Sequence, residues 1–161
     1  MALARQIERM LFAWWSSPRW GRLAVPVLLA TLLWWSSSTP RTTGPSDMWR
    51  SLAHNGAHVV AYALLGAAVW LVRARHDRSR RTSIVGLVAT VGYGLLDELH
   101  QSFVPGRVAS LVDVASDASG AWLATQTLDA ILVGRSWGMS IFLLSVIMSG
   151  FFVLLATFGP W

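Results

Sequence analysis

Cysteine is missing from this 161-residue chain, which excludes disulfides, thiolate metal sites and a cysteine nucleophile. Lysine is missing too, so all thirteen basic residues are arginine. Charge of either sign is scarce: 13% of residues are charged, about half the quarter that a soluble domain carries. Low-complexity tracts and repeats of solenoid period are absent, as is a basic face interleaved with stacking aromatics. The net charge of +5 and the pI near 11.3 therefore point to membrane orientation and away from nucleic acid.

What the chain does have is apolar residues, 54% of the total. Water is not the solvent that composition suits. Its length predicts one all-α unit of several spans of roughly 20 residues each, in contact with the lipid bilayer. Residues 1–19 predict an amphipathic interfacial helix, with Arg5, Glu8 and Arg9 set among Leu3, Ile7, Met10, Leu11 and Phe12. Four spans follow in a core over 20–135, at about 20–38, 55–72, 84–103 and 110–133. A fifth, Met139 to Phe158 within 136–161, carries no charged residue. The apolar run ending in Ser36-Ser37-Ser38 lacks a small-x-small cleavage site, so the first span is read as retained. Tryptophans, ten in all, fall mostly near segment ends, as interfacial anchors do.

Arginine placement predicts orientation. Arg5, Arg9, Arg19, Arg22, Arg73, Arg75, Arg78, Arg80, Arg81 and Arg135 lie on one set of connections, and only Arg41, Arg50 and Arg107 on the alternate set. The positive-inside rule then places the amino terminus in the cytoplasm and the carboxyl terminus outside.

Polar residues gather at the predicted outer face. His54, His58 and Tyr62 recur at intervals of four on the second span; Asp97, Glu98 and Gln101 end the third; Pro105-Gly106 turns the chain before Arg107; Asp113 and Asp117 open the fourth. Charged side chains at membrane depth cost roughly 2.5 kcal/mol or more each, so several at one level point to a polar pocket. Blander readings stand beside this one. His54 fits an interfacial position, His58 an interhelical hydrogen bond, Asp97 and Asp117 a helix cap or a local pair, and Arg107 a structural ion pair. His76 and Asp77 read as solvated loop residues, Asp129 as a partner for Arg135, and Gly86, Gly92 and Gly94 as close helix packing. A divalent cation is a candidate cofactor, with His54, His58, Glu98 and Asp113 as candidate ligands, although the HExxH arrangement is absent.

The combination His58-x-x-x-Tyr62-x-x-x-Gly66, then Asp97-Glu98-x-x-Gln101-x-Phe103-x-Pro105-Gly106-Arg107, then Asp113 and Gly120, resembles the VanZ-like family of bacterial membrane proteins, named for a teicoplanin-resistance accessory protein. The resemblance covers roughly residues 54–123 and implies a four-helix core with an envelope-associated role. His54-Asn55 stands where the family often has Asp-Lys, and Asp117 where it often has Asn.

Two functions are expected to compete. One is an enzyme or binding protein for a lipid-linked or glycan head group, using His58, Glu98, Arg107 and Asp113. The other is a non-catalytic accessory subunit docking on other membrane-protein subunits, with Ser145, Ser149 and Gly150 allowing close helix contact. Solute transport lacks a second polar cluster at the inner face.

Overall fold

The structure, a computed structural model, describes residues 2–40, 48–135 and 139–158. Arg41 and the side chains of Leu3, Arg5, Ile7 and Glu8, on which the orientation and amphipathic readings partly rest, lie outside the described residues. Six α-helices account for nearly all of it: α1 (Ala2–Ser16), α2 (Arg19–Ser37), α3 (Met48–Arg73), α4 (Arg80–Gln101), α5 (Leu111–Leu128) and α6 (Met139–Phe158). A π-helical turn, Asp129–Val133, prolongs α5, and no strand occurs among the described residues.

Local chemistry sets the helix ends. Pro18, at φ −56°, introduces α2 with a pre-set backbone. The Ser79 hydroxyl accepts from the Arg81 N–H at 3.2 Å to start α4, and Asp77 Oδ1 accepts from the Ser79 N–H at 2.8 Å. Asp77 thus closes a local turn just ahead of the cap; the Ser79 hydrogen bonds, with Arg73 nearby, hold its carboxyl below the ordinary carboxylate range. Ser110 caps α5 by accepting from Val112 and Asp113. Gly106 and Gly134 adopt left-handed φ values of 75° and 69°, where a side chain would be strained. α3 begins at Met48 and α4 at Arg80, both earlier than apolarity alone predicts. Helical hydrogen bonding continues through polar turns until a cap or a breaker stops it.

α5 occupies the middle of the bundle, packed against α3, α4 and α6, while α2 lies along α3 and α4. Burial is inverted relative to a soluble protein. Among the described residues seven apolar side chains are buried against fifteen polar or charged ones. Large apolar residues such as Val60, Leu64, Val88, Leu96, Ile147 and Leu154 face outward. Such a surface is tolerable only where hydrocarbon is the solvent. α3, α4 and α6 are long and apolar enough to cross a membrane; α2 and α5 do not reach the same measure. In α5 the two carboxylates dilute the apolarity, and in α2 the arginines do.

Small residues let the helices approach. A Cβ on Gly66 would sit 3.2 Å from Ala121, and one on Gly86 would sit 3.4 Å from Thr125. Gly92 departs from the expected packing series, since nothing lies within 4 Å of its missing side chain. Ser145 and Ser149 of α6 are buried inside the bundle. Ser145 Oγ accepts from Trp122 Nε1 at 3.0 Å and from Gln126 Nε2 at 2.8 Å. α6 is thereby fastened to α5, and Asn55 donates to Thr157 Oγ1 at 3.0 Å to fasten its other end to α3.

Candidate functional site

Four helices bring their polar residues together where α2 and α4 end and α3 and α5 begin. Helical spacing on α4 turns Asp97, Glu98 and Gln101 inward, and all three are buried. Asp97 ties three helices. Its Oδ1 accepts from Ser37 Oγ of α2 at 2.5 Å, and its Oδ2 accepts from Tyr62 OH of α3 at 3.4 Å and Gln101 Nε2 at 3.0 Å. Glu98 accepts from Gln101 Nε2 at 3.2 Å and from the Ser110 N–H at 2.7 Å, so its carboxylate also steadies the first turn of α5.

Asp117 is 1% exposed, and its Oδ1 lies 3.3 Å from His58 Nδ1, whose side chain is 18% exposed. The second oxygen, Oδ2, has no hydrogen-bond partner among the described residues. Gly94 makes room for it: a Cβ there would lie 3.3 Å from both Asp117 Oδ2 and Tyr62 Cε1. Asp113 and Glu98 lie within electrostatic reach of His58. His54 stands edge-on to His58 with ring centroids 4.9 Å apart, and His58 stacks towards Tyr62 at 6.1 Å. The stripe expected on the second span is therefore a continuous aromatic column. Among the described residues no three histidines or carboxylates form a metal-ligating group.

Arg107 serves a purpose that sequence did not suggest. Its Nη2 donates to the Ser36 carbonyl at 2.9 Å, its Nε to the Thr39 carbonyl at 3.3 Å, and its Nη1 to Gln101 Oε1 at 3.5 Å. The guanidinium thus sits at the negative end of the α2 dipole and fixes that helix to the α4–α5 turn. Ser37 also went unnoticed as a participant, and so did His100. The latter stacks on Trp34 at 4.0 Å and pairs with Ser38 Oγ at 2.9 Å. A run of three serines ending an apolar span was the signal available for the first.

At the opposite end lies the second polar cluster that sequence reading did not find. Ser83 Oγ donates to Asp129 Oδ2 at 2.8 Å, Trp70 Nε1 donates to Ser83 at 3.2 Å, and Arg135 Nη2 donates to Asp129 Oδ1 at 3.0 Å. Only the Asp129–Arg135 pair was legible beforehand. Asp129 is fully buried and Arg135 only partly exposed. Asp129→Ala should cost about 2–3 kcal/mol, the usual penalty for stranding a buried charge reduced for Arg135's access to solvent. Thermal unfolding in detergent micelles measures this, and Asp129→Asn should fall between the alanine variant and the parent.

Comparison with known proteins gives a family match. A family model described as VanZ/LLP1 covers residues 7–133, more than three quarters of the chain and every residue of the polar cluster. No curated protein and no solved structure matches the chain significantly.

Proposed function

This chain belongs to the VanZ/LLP1 family, and from that premise we propose that it binds the head group of a lipid-linked or glycan-bearing molecule at the extracytoplasmic end of its bundle. In this reading α2 and α5 cross the membrane beside α3, α4 and α6, giving five spans. The amphipathic α1 lies at the cytoplasmic interface, 20–135 forms the core, and 136–161 adds the last span.

The observation that carries the reading is the buried group Asp97, Glu98, Asp117 and Tyr62, with the partly exposed His58 beside it, set at the end away from the arginine-rich connections. Membranes tolerate such a concentration of ionisable groups where a functional site repays its insertion cost. The balance of donors and acceptors narrows the ligand. Carboxylate oxygens predominate, and the Arg107 guanidinium is engaged with the Ser36 and Thr39 carbonyls at and just beyond the end of α2. An acceptor-rich site of this kind favours a head group rich in hydroxyl or ammonium donors, such as a sugar, over a bare phosphate. His58 beside Asp117 can also hold or move a proton, which is what acid–base chemistry on a hydroxyl requires.

Native mass spectrometry of the gently extracted protein tests this. The parent should retain a hydroxylated lipid, and Glu98→Gln with Asp117→Asn should lose it by tenfold or more while remaining folded. Equal retention by parent and double variant would sink the head-group reading. The accessory-subunit alternative has to use the large apolar face of α6, because Ser145 and Ser149 point into the bundle.

Orientation has its own check. Cysteines introduced singly at the exposed Ser79 and Ser102 should react with an impermeant maleimide from opposite sides of the membrane. Ser102 should label in intact cells and Ser79 only after permeabilisation; labelling of both from outside would refute the five-span topology.

A further inference from the structure

α2 is pinned at both ends, and its middle borders a groove. At one end Arg22 Nη1 donates to the Trp15 and Ser17 carbonyls at 3.0 and 2.6 Å. At the other, Ser37 bonds Asp97, and Arg107 holds the Ser36 and Thr39 carbonyls. Between these anchors Pro26 interrupts the helical hydrogen bonding. A groove of about 220 Å³ opens there between α2, α3 and α4, walled by Val27, Ala30, Leu65, Val69, Ala89 and Tyr93.

The hydroxyls bordering the groove are already committed within the protein. Tyr93 OH donates to the Ala30 carbonyl at 2.5 Å, and Thr90 Oγ1 donates to the Gly86 carbonyl at 2.8 Å. The groove consequently offers hydrocarbon contact and almost no hydrogen bonding. Its volume falls below the roughly 300–1,000 Å³ typical of sites that enclose a whole small molecule. One slim apolar chain fits that description; a head group does not.

The groove lies next to the polar cluster: the ring of Tyr93, which lines it, is 6.2 Å from that of Tyr62, and Tyr62 OH donates to Asp97. Along α4, Tyr93 and Asp97 are separated by one turn, about 6 Å. We propose that this groove seats a hydrocarbon chain of the same lipid whose hydroxylated head group occupies the cluster around His58, Glu98 and Asp117. This rests on the head-group reading above and adds to it the binding determinant for the tail. A lipid arriving sideways from the bilayer would insert its chain beneath α2 while its head group met the buried carboxylates.

The test uses the full chain in lipid nanodiscs and a long-chain alkyl glucoside carrying a diazirine midway along its chain. Photolabelling should be saturable and concentrated on Val27, Ala30, Val69 and Ala89. Unlabelled alkyl glucoside should compete at least ten times better than the alcohol of equal chain length. Ala30→Phe fills the groove from α2 and Ala89→Phe from α4; a correctly folded variant of either kind should lose labelling at these positions tenfold. Labelling spread evenly over outward residues such as Leu64, Val88 and Ile147, and unchanged in the filled variants, would overturn the groove. Labelling confined to the groove but displaced equally well by the alcohol keeps the tail site and overturns the head-group reading.

Discussion

Gly120→Ala will destabilise the bundle more than any other single methyl addition to a helical glycine, and Gly120→Val will abolish its assembly. A Cβ built on Gly120 would stand 2.2 Å from the Val59 carbonyl oxygen and 3.0 Å from its carbon. The obstacle is backbone rather than a movable side chain, so α3 and α5 would have to separate. These two helices share the most extensive contact in the fold. Within a bilayer, where apolar burial provides no net drive between helices, close van der Waals contact is a principal source of association. Alanine should therefore cost roughly 3 kcal/mol, the upper end of the range for overpacking. Gly66→Ala, facing Ala121 at 3.2 Å, should cost less because small shifts relieve it. Gly92→Ala and Gly150→Ala meet nothing within 4 Å and should be neutral or slightly stabilising through helix propensity. Melting temperatures of the four alanine variants in one detergent supply the ranking, and parity between Gly120→Ala and Gly92→Ala would contradict it.

Much of this architecture was legible because the membrane simplifies the sequence code. Helices were required by the need to satisfy backbone groups in hydrocarbon, and apolar stretches located them. The i, i+4 recurrence of His54, His58 and Tyr62 gave the column that the structure displays. Local pairs such as Asp129 with Arg135 were also readable, since they sit six residues apart around one turn. Partners distant in sequence were hidden. Nothing in the chain says that Ser37 reaches Asp97 or that Ser83 reaches Asp129, because helix rotation and offset decide those contacts. The contacts of Arg107 with α2 were hidden for a related reason. Its distinguishing acceptors are backbone carbonyls at the end of α2, and carbonyls have no sequence signature. The hydrogen bonds that fasten α6 to Trp122 and Gln126 through Ser145 were hidden in the same way.

The carboxylates of the cluster should differ in how far they hold the fold: Asp97 ties three helices, Glu98 bonds Gln101 and the Ser110 N–H, and Asp117 keeps one oxygen without a partner among the described residues. Asp97 has both oxygens occupied by Ser37, Tyr62 and Gln101, which belong to α2, α3 and α4. Asp97→Ala removes the shared acceptor and strands the buried Tyr62 hydroxyl, while Ser37 keeps the Trp34 carbonyl and Gln101 keeps Glu98, so a loss of about 1–3 kcal/mol is expected. Asp117 contrasts with it: one oxygen pairs with the partly exposed His58, and the other has no partner among the described residues. Asp117→Asn keeps the shape and an acceptor for His58 while removing the charge, and should shift the melting temperature little. Glu98→Gln likewise preserves an acceptor for the Ser110 N–H. Retention of the hydroxylated lipid should show the opposite order, with the Glu98 and Asp117 variants losing it while folded. Arg107→Lys completes the comparison. Its three donors reach three separate acceptors in different directions, which a single ammonium cannot span at once. Lysine should consequently behave like alanine, lowering stability by about 1–2 kcal/mol through the loosened end of α2. A lysine variant as stable as the parent would mean that positive charge at the helix end is sufficient and that the fork geometry contributes nothing.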